Sequence, residues 1–187
     1  MSIQSSVMIG GASEAHKRRE ADFYPTPTEV TEALLRVFPK YFSNTVVWEP
    51  ACGDGAISRV LERSNNKVIS TDLNDQGYGK PNVNFLTAPL PANAKAIVTN
   101  PPFDLAQKFI LHACSFGVPV AILLKATYWN AKSRIDLLRN TGPIAVCPLT
   151  WRPKFCPDRG SAPTMDFMWT VWGPKPAKLP YFFLLEK

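Results

Sequence analysis

Short apolar runs alternate with amphipathic stretches along most of this chain, and that alternation limits the fold more than any other feature. "TVVWEP" (45–50), "KVISTD" (67–72), "AKAIVTN" (94–100) and "VPVAILLK" (118–125) have the length and β-branched content of buried strands. Around them, "TEVTEALLRVF" (28–38), "GAISRVLERS" (55–64), "FDLAQKFILHACSF" (103–116) and "AKSRIDLLRN" (131–140) place apolar residues at helical spacing. "VNFL" (83–86) reads as a further brief strand, whereas "LNDQGYGKPN" (73–82) is too short and turn-rich for a crossover helix. "PIAVCPL" (143–149), "MDFMWTVWG" (165–173) and "PYFFLL" (180–185) close the chain with strand character. Strands alternating with helices call for a mostly parallel sheet covered on both faces. The expected fold is α/β, three layers around a central sheet of about seven strands. Residues 22–187 are expected to form one domain, behind a flexible polar tail at 1–21.

The 45% hydrophobic and 19% charged composition is that of an ordinary globular protein, with enough apolar mass for a sizeable core. The tail has no apolar run of signal-peptide length, and no later run is long enough to cross a membrane. Its His16 and "KRR" read as a solvated segment. Cys52, Cys114, Cys147 and Cys156 are scattered without a C-x-x-C pair, which speaks against a metal site or a disulfide framework and suits a reducing cytoplasm. Charge is unevenly spread. Residues 1–124 hold 11 Lys/Arg and 11 Asp/Glu, while residues 125–187 hold 10 against 4. A neutral front and a basic back suit a small-molecule site followed by a polyanion-facing surface, or simply a well-solvated C-terminal third.

Ligands in open α/β sheets bind beyond the carboxyl ends of strands, where the strand order reverses. The informative residues follow strands here. "EPACGDGAIS" begins with Glu49 and carries Gly53 and Gly55 into a helix start, which lets a ligand approach the backbone. Asp72 lies 19 residues beyond Gly53, a spacing that suits the two hydroxyls of a ribose. The full G-x-G-x-x-G of a dinucleotide site is missing, and so is the G-K-[ST] of a phosphate-cradling loop. A nucleoside cofactor without phosphates fits, and S-adenosyl-L-methionine is one. The Trp169/Trp172 pair reads as core, and His112 as a packed or surface histidine.

The run "IVTNPPFD" (97–104) follows a strand with a stiff kink, because proline donates no ladder bond and restricts its predecessor. With "DFYPTP" (22–27), "VWEPACGDGA" (47–56), "STDL" (70–73) and "TNPPF" (99–103) in this order, the chain resembles the amino-group DNA methyltransferases, specifically the N6-adenine enzymes and their small phage-type members. The likeness covers about residues 22–130. It implies a Rossmann-like methyltransferase fold, S-adenosyl-L-methionine as cofactor, no metal, and methyl transfer to the N6 amine of an adenine turned out of the helix. The resemblance assigns catalysis to Asn100, Pro101, Pro102 and Phe103. The Asn100 side-chain oxygen and the Pro101 carbonyl would accept the amine hydrogens, Pro102 would stiffen the turn, and Phe103 would stack on the base. It places Tyr24, Thr26, Glu49, Cys52, Gly53, Gly55 and Asp72 around the cofactor. Asn84 and Phe85 stand where the family often has an Asp-Phe pair against the adenine of the cofactor. Lys125, at a strand end, reads as solvated or phosphate-facing.

What departs from the family is the small allowance for target recognition. The segment "TWRPKFCPDRGSAPT" (150–164) interleaves Arg152, Lys154 and Arg159 with Trp151 and Phe155, a composition suited to phosphate contact and base stacking. The expected partner is DNA, duplex or single-stranded. Either the target is short or relaxed, or a second copy or a separate specificity subunit helps to read it. RNA or a protein glutamine amide presents the same lone-pair problem and stays an alternative substrate. A non-catalytic nucleic-acid-binding relative would have no need for Asn100, Phe103, Asp72 and both glycines.

Overall fold

A computed structural model describes residues 25–155, 163–177, 181–182 and 185. The tail, Tyr24, Cys156 and Arg159 lie outside the described residues. Among the described residues, seven strands form one sheet: β1 (Val46–Glu49), β2 (Lys67–Ser70), β3 (Ala96–Thr99), β4 (Val120–Lys125), β5 (Ala145–Pro148), β6 (Phe167–Trp172) and β7 (Tyr181–Phe182). Their order is β2-β1-β3-β4-β6-β5-β7. The β1–β2, β1–β3, β3–β4 and β5–β7 pairs are parallel, and β6 runs antiparallel to both β4 and β5. The α/β, mostly parallel architecture is thus the one the alternation demands.

Side chains along each strand leave the sheet on alternate faces, and because both faces are covered β3 and β4 are buried throughout apart from half-buried Lys125, with successive residues entering opposite cores. Ala121 and Leu123 of β4 join Val47, Val98 and Trp169 in one core, which α1 (Thr28–Val37), α2 (Pro39–Phe42) and α3 (Ala56–Arg63) cover. Val120, Ile122 and Leu124 join Trp48, Ile97 and Trp172 in the other, beneath α4 (Ala106–Ser115) and α5 (Ile135–Thr141). Trp169 and Trp172 are three residues apart, so they enter opposite cores, both fully buried. The Trp169 indole also donates to the Val30 carbonyl at 2.9 Å, pinning the first turn of α1 to β6. His112 packs between the Phe85 and Phe116 rings, with Nε2 3.0 Å from the Ala88 carbonyl oxygen.

Two local expectations need correction. "VNFL" forms a turn rather than a strand: the Asn84 side-chain oxygen accepts from the Leu86 N–H, and its carbonyl accepts from Thr87 and Ala88. Its alternation comes from Phe85 alone, which buries against Trp48 and Phe109. The stretch 131–140 opens as a 3₁₀ turn over Lys132–Arg134 before α5 begins. There the Arg134 guanidinium stacks over the Tyr128 ring and donates to the Tyr128 carbonyl.

Candidate active site

The chain leaves β1 for its outer neighbour β2 and then returns to β3 on the opposite side of β1. The loops at that reversal diverge, and a cavity of about 540 Å³ opens between them. This is the size of a small-molecule site, roughly 300–1,000 Å³. Its walls come from the end of β1 (Glu49 to Asp54), the end of β2 (Asp72 to Asn74), the 83–86 turn, the Asn100–Leu105 turn, and the Pro25–Thr26 segment that leads into α1.

Hydrogen bonds fasten the β1 and β2 loops together. The Cys52 N–H donates to the Thr71 carbonyl at 3.0 Å, and the Gly53 N–H donates to Asp72 Oδ2 at 2.9 Å. Gly53 sits at φ 52°, a left-handed conformation that glycine adopts without strain. Asp72 Oδ1 accepts the Asn74 N–H at 2.9 Å. The Asp72 carboxylate is therefore held in place by backbone donors, and each oxygen keeps further lone pairs for a ligand.

Glu49 is 1% exposed, and its carboxylate accepts a hydrogen bond from Ser58 Oγ, which lies 2.7 Å from Ser70 Oγ. Burial pushes the Glu49 pKa well above the usual carboxyl value, with the Ser58 bonds opposing that rise and the Asp72 charge adding to it. Burial likewise pushes the Cys52 thiol up to about 12, helped by the Glu49 and Asp72 charges. Cys52 borders the cavity, but its Sγ lies 3.5 Å from the Tyr78 carbonyl oxygen, so the sulfur packs beneath the 78–79 turn.

Gly55, expected at the cofactor, is not among the residues that line the cavity. A Cβ there would stand 2.5 Å from the Tyr78 ring, and the backbone is at φ 85°. Tyr78 holds that position with its hydroxyl donating to Glu62 and with the Arg59 guanidinium 4.7 Å from its ring. Gly55 thus makes room for a tyrosine. The only sequence signal for Tyr78 is its place in the turn-rich "QGYGK", which names no partner. Asn84 and Phe85 both line the cavity, Phe85 as a 2% exposed anchor and Asn84 with its oxygen already engaged in the turn.

Opposite Asp72, the Asn100–Pro101–Pro102–Phe103 turn forms the other wall. The Asn100 Nδ2 donates to Thr26 Oγ1 at 3.1 Å. Its Oδ1 is buried and accepts no hydrogen bond among the described residues. Thr26 thus meets the expected catalytic amide, across 74 residues of sequence. The Phe103 ring lies 6.0 Å from Phe167, and the Lys125 ammonium stands 4.4 Å from the Phe103 centroid. Among the described residues no acidic side chain lies within ion-pair distance of Lys125.

The basic segment is only partly free. Trp151 and Phe155 pack against the first core, and Phe155 lies 4.6 Å from Phe167. Arg152 is exposed and paired with Asp166 at 2.7 Å, and Lys154 is exposed. Among the described residues no group of three or more His, Cys, Asp or Glu could hold a metal, and no helix is long and apolar enough to cross a membrane.

No protein-family model matches the chain, and comparison with curated proteins returns no sequence match. Solved structures do match. A candidate RNA methyltransferase from Pyrococcus horikoshii superposes with a TM-score of 0.64 at 15% identity, over 81% of this chain and 86% of that one. A type I restriction-modification methyltransferase subunit from Streptococcus thermophilus gives 0.55 at 13% identity, over 80% of this chain and 44% of that one. A TehB-like SAM-dependent methyltransferase from Corynebacterium glutamicum gives 0.51 at 13% identity, over 80% and 88%. At such identities the likeness concerns the fold. The chain has the Rossmann-like α/β fold of SAM-dependent methyltransferases.

Proposed function

We propose that this chain is an S-adenosyl-L-methionine-dependent methyltransferase that modifies the exocyclic N6 amine of adenine in DNA. The observation that carries this reading is the Asn100 side chain, whose buried oxygen has no donor among the described residues, at the wall of a cavity where Glu49 and Asp72 are hydrogen-bonded. A buried acceptor without a donor is costly unless a ligand supplies one.

The cavity suits the cofactor. Asp72 would take the ribose hydroxyls, Glu49 and the Gly53 backbone the methionine end, and Leu73, Asn84 and Phe85 the adenine. When bound, the cofactor supplies an electrophilic methyl group on a sulfonium. The residues of the chain supply geometry. Asn100 Oδ1 and the Pro101 carbonyl accept the two amine hydrogens, which draws the nitrogen out of conjugation with the ring and frees its lone pair. The consecutive prolines fix the carbonyl direction before reaction, a preorganised electrostatic effect. Phe103 offers a stacking surface, and the Lys125 cation beside that ring suits a base flanked by phosphates. Arg152 and Lys154 extend positive charge along the same rim. The Streptococcus thermophilus neighbour is a methyltransferase subunit, and by that analogy a second copy or a specificity partner completes target reading here.

The test is transfer of labelled methyl to duplex DNA, single-stranded DNA, RNA and protein, beside Asn100→Ala. The expected result is labelled N6-methyladenine in DNA, lowered about 100-fold or more in the variant, with cofactor binding retained. Label in RNA or protein alone would reassign the substrate, and cofactor binding without transfer to any acceptor would overturn the stand-alone enzyme.

A further inference from the structure

We propose that Thr26 is the positioning residue of the Asn100 amide rather than a cofactor ligand, an inference that rests on the methyltransferase reading above. A carboxamide presents its oxygen and its NH₂ with nearly equal reach, and its terminal torsion is broad and two-fold. With the wrong end forward, two N–H donors would face the amine, itself a donor, and the lone pair would not be freed. The Thr26 hydroxyl, which can donate or accept, here accepts the Nδ2 hydrogen at 3.1 Å, and that contact holds the productive orientation, with Oδ1 the end left without a partner among the described residues.

Thr26 is well mounted for this task. It is 5% exposed and lies between Pro25 and Pro27, each with a fixed φ. The Pro27 carbonyl accepts the Val30 N–H at 3.0 Å, and the Val30 carbonyl accepts the Trp169 indole N–H at 2.9 Å. The hydroxyl is thus tied through the first turn of α1 to a buried residue of β6. The acceptor and its holder come from separate segments, so the amide is oriented only when the N-terminal segment is docked.

Thr26→Val removes the hydroxyl at nearly constant shape, and Thr26→Ser keeps it. In Thr26→Val, kcat should fall about 10–100-fold, the loss expected of a misaligned reacting group, with cofactor Kd and DNA KM within about two-fold of wild type. Thr26→Ser should recover kcat to within about three-fold. The side-chain ¹⁵N amide resonance of Asn100, recorded without any methyl acceptor, should shift in Thr26→Val and return in Thr26→Ser. A tenfold weaker cofactor Kd with kcat unchanged would make Thr26 a cofactor ligand and overturn the inference. An unmoved amide resonance would overturn it as well. If the wild-type protein methylates nothing, the proposed function fails, while the amide resonance still decides the Thr26–Asn100 bond.

Discussion

The ends of β1 and β2 differ from the ends of β3 and β4 in how their buried polar groups are treated. On the first side, Trp48 Nε1 donates to Thr71 Oγ1 at 2.9 Å, Glu49 pairs with Ser58, and Asp72 accepts two backbone N–H groups. On the second, Thr99 Oγ1 and Asn100 Oδ1 are buried with no partner among the described residues, and Lys125 rests on an aromatic ring without an acid. Satisfied polar groups make a rigid wall for a ligand that must always be held in the same way. The Asn100 oxygen borders the cavity and keeps its hydrogen-bonding capacity for a ligand, whereas Thr99 lies within β3 and does not line the cavity. The comparison thus separates two walls by polar satisfaction, and on the proposed function the first would face the cofactor and the second the methyl acceptor.

A matched pair of substitutions tests this division most severely. Thr71→Val strands the Trp48 indole N–H in the core and should cost about 1–3 kcal/mol in denaturant unfolding. Thr99→Val replaces a hydroxyl that already lacks a partner and should leave stability unchanged or raise it by about 0–1 kcal/mol. Equal losses from the two would erase the distinction.

A smaller effect is expected at Glu49, and it depends on pH. Because burial raises its folded-state pKa, the folded protein holds that proton more tightly than the unfolded chain does. The resulting stability is complete below the unfolded value near 4.5 and is lost as pH rises through the raised folded value. Glu49→Gln keeps an acceptor for Ser58 without the charge. In the cofactor-free protein its melting temperature should exceed that of wild type at pH 8, and the gap should close toward pH 4. A gap that widens on acidification would reverse the sign.

The smallest structural change lies on the rim beyond β5 and β6. Arg152→Ala removes an exposed pair with Asp166 and should shift the melting temperature by no more than about 1 °C. If the rim meets phosphate, the slope of log affinity for DNA against log salt should fall by about one. An unchanged slope would take Arg152 out of the interface.

How legible this was from sequence follows the same physics. The strands were readable because Val47, Ile97 and Ile122 sit in short, unbroken apolar runs bounded by turn residues, and a parallel sheet buries such runs on both faces. The cavity wall was readable where chemistry clusters at a strand end, as in Glu49, Gly53, Asp72 and Asn100. Contacts between distant segments were not readable. Nothing local in "YPTPTE" announces that Thr26 meets Asn100, and nothing in "GDGA" announces that Gly55 yields its space to Tyr78. "VNFL" misled because its apolar residue at Phe85 serves a tertiary contact within a turn.

The direction of β6 has one further consequence. Because β6 runs against both β4 and β5, the connection from Pro148 to Phe167 begins and ends on the rim where the Asn100–Phe103 turn lies. Extra chain inserted there would start and finish on that rim. Closing a longer loop is thermodynamically cheap, about 0.6 kcal/mol for each doubling of its length. On the proposed function, the fold could therefore change what it recognises by lengthening or exchanging one connection, while the walls of the cavity stay as they are.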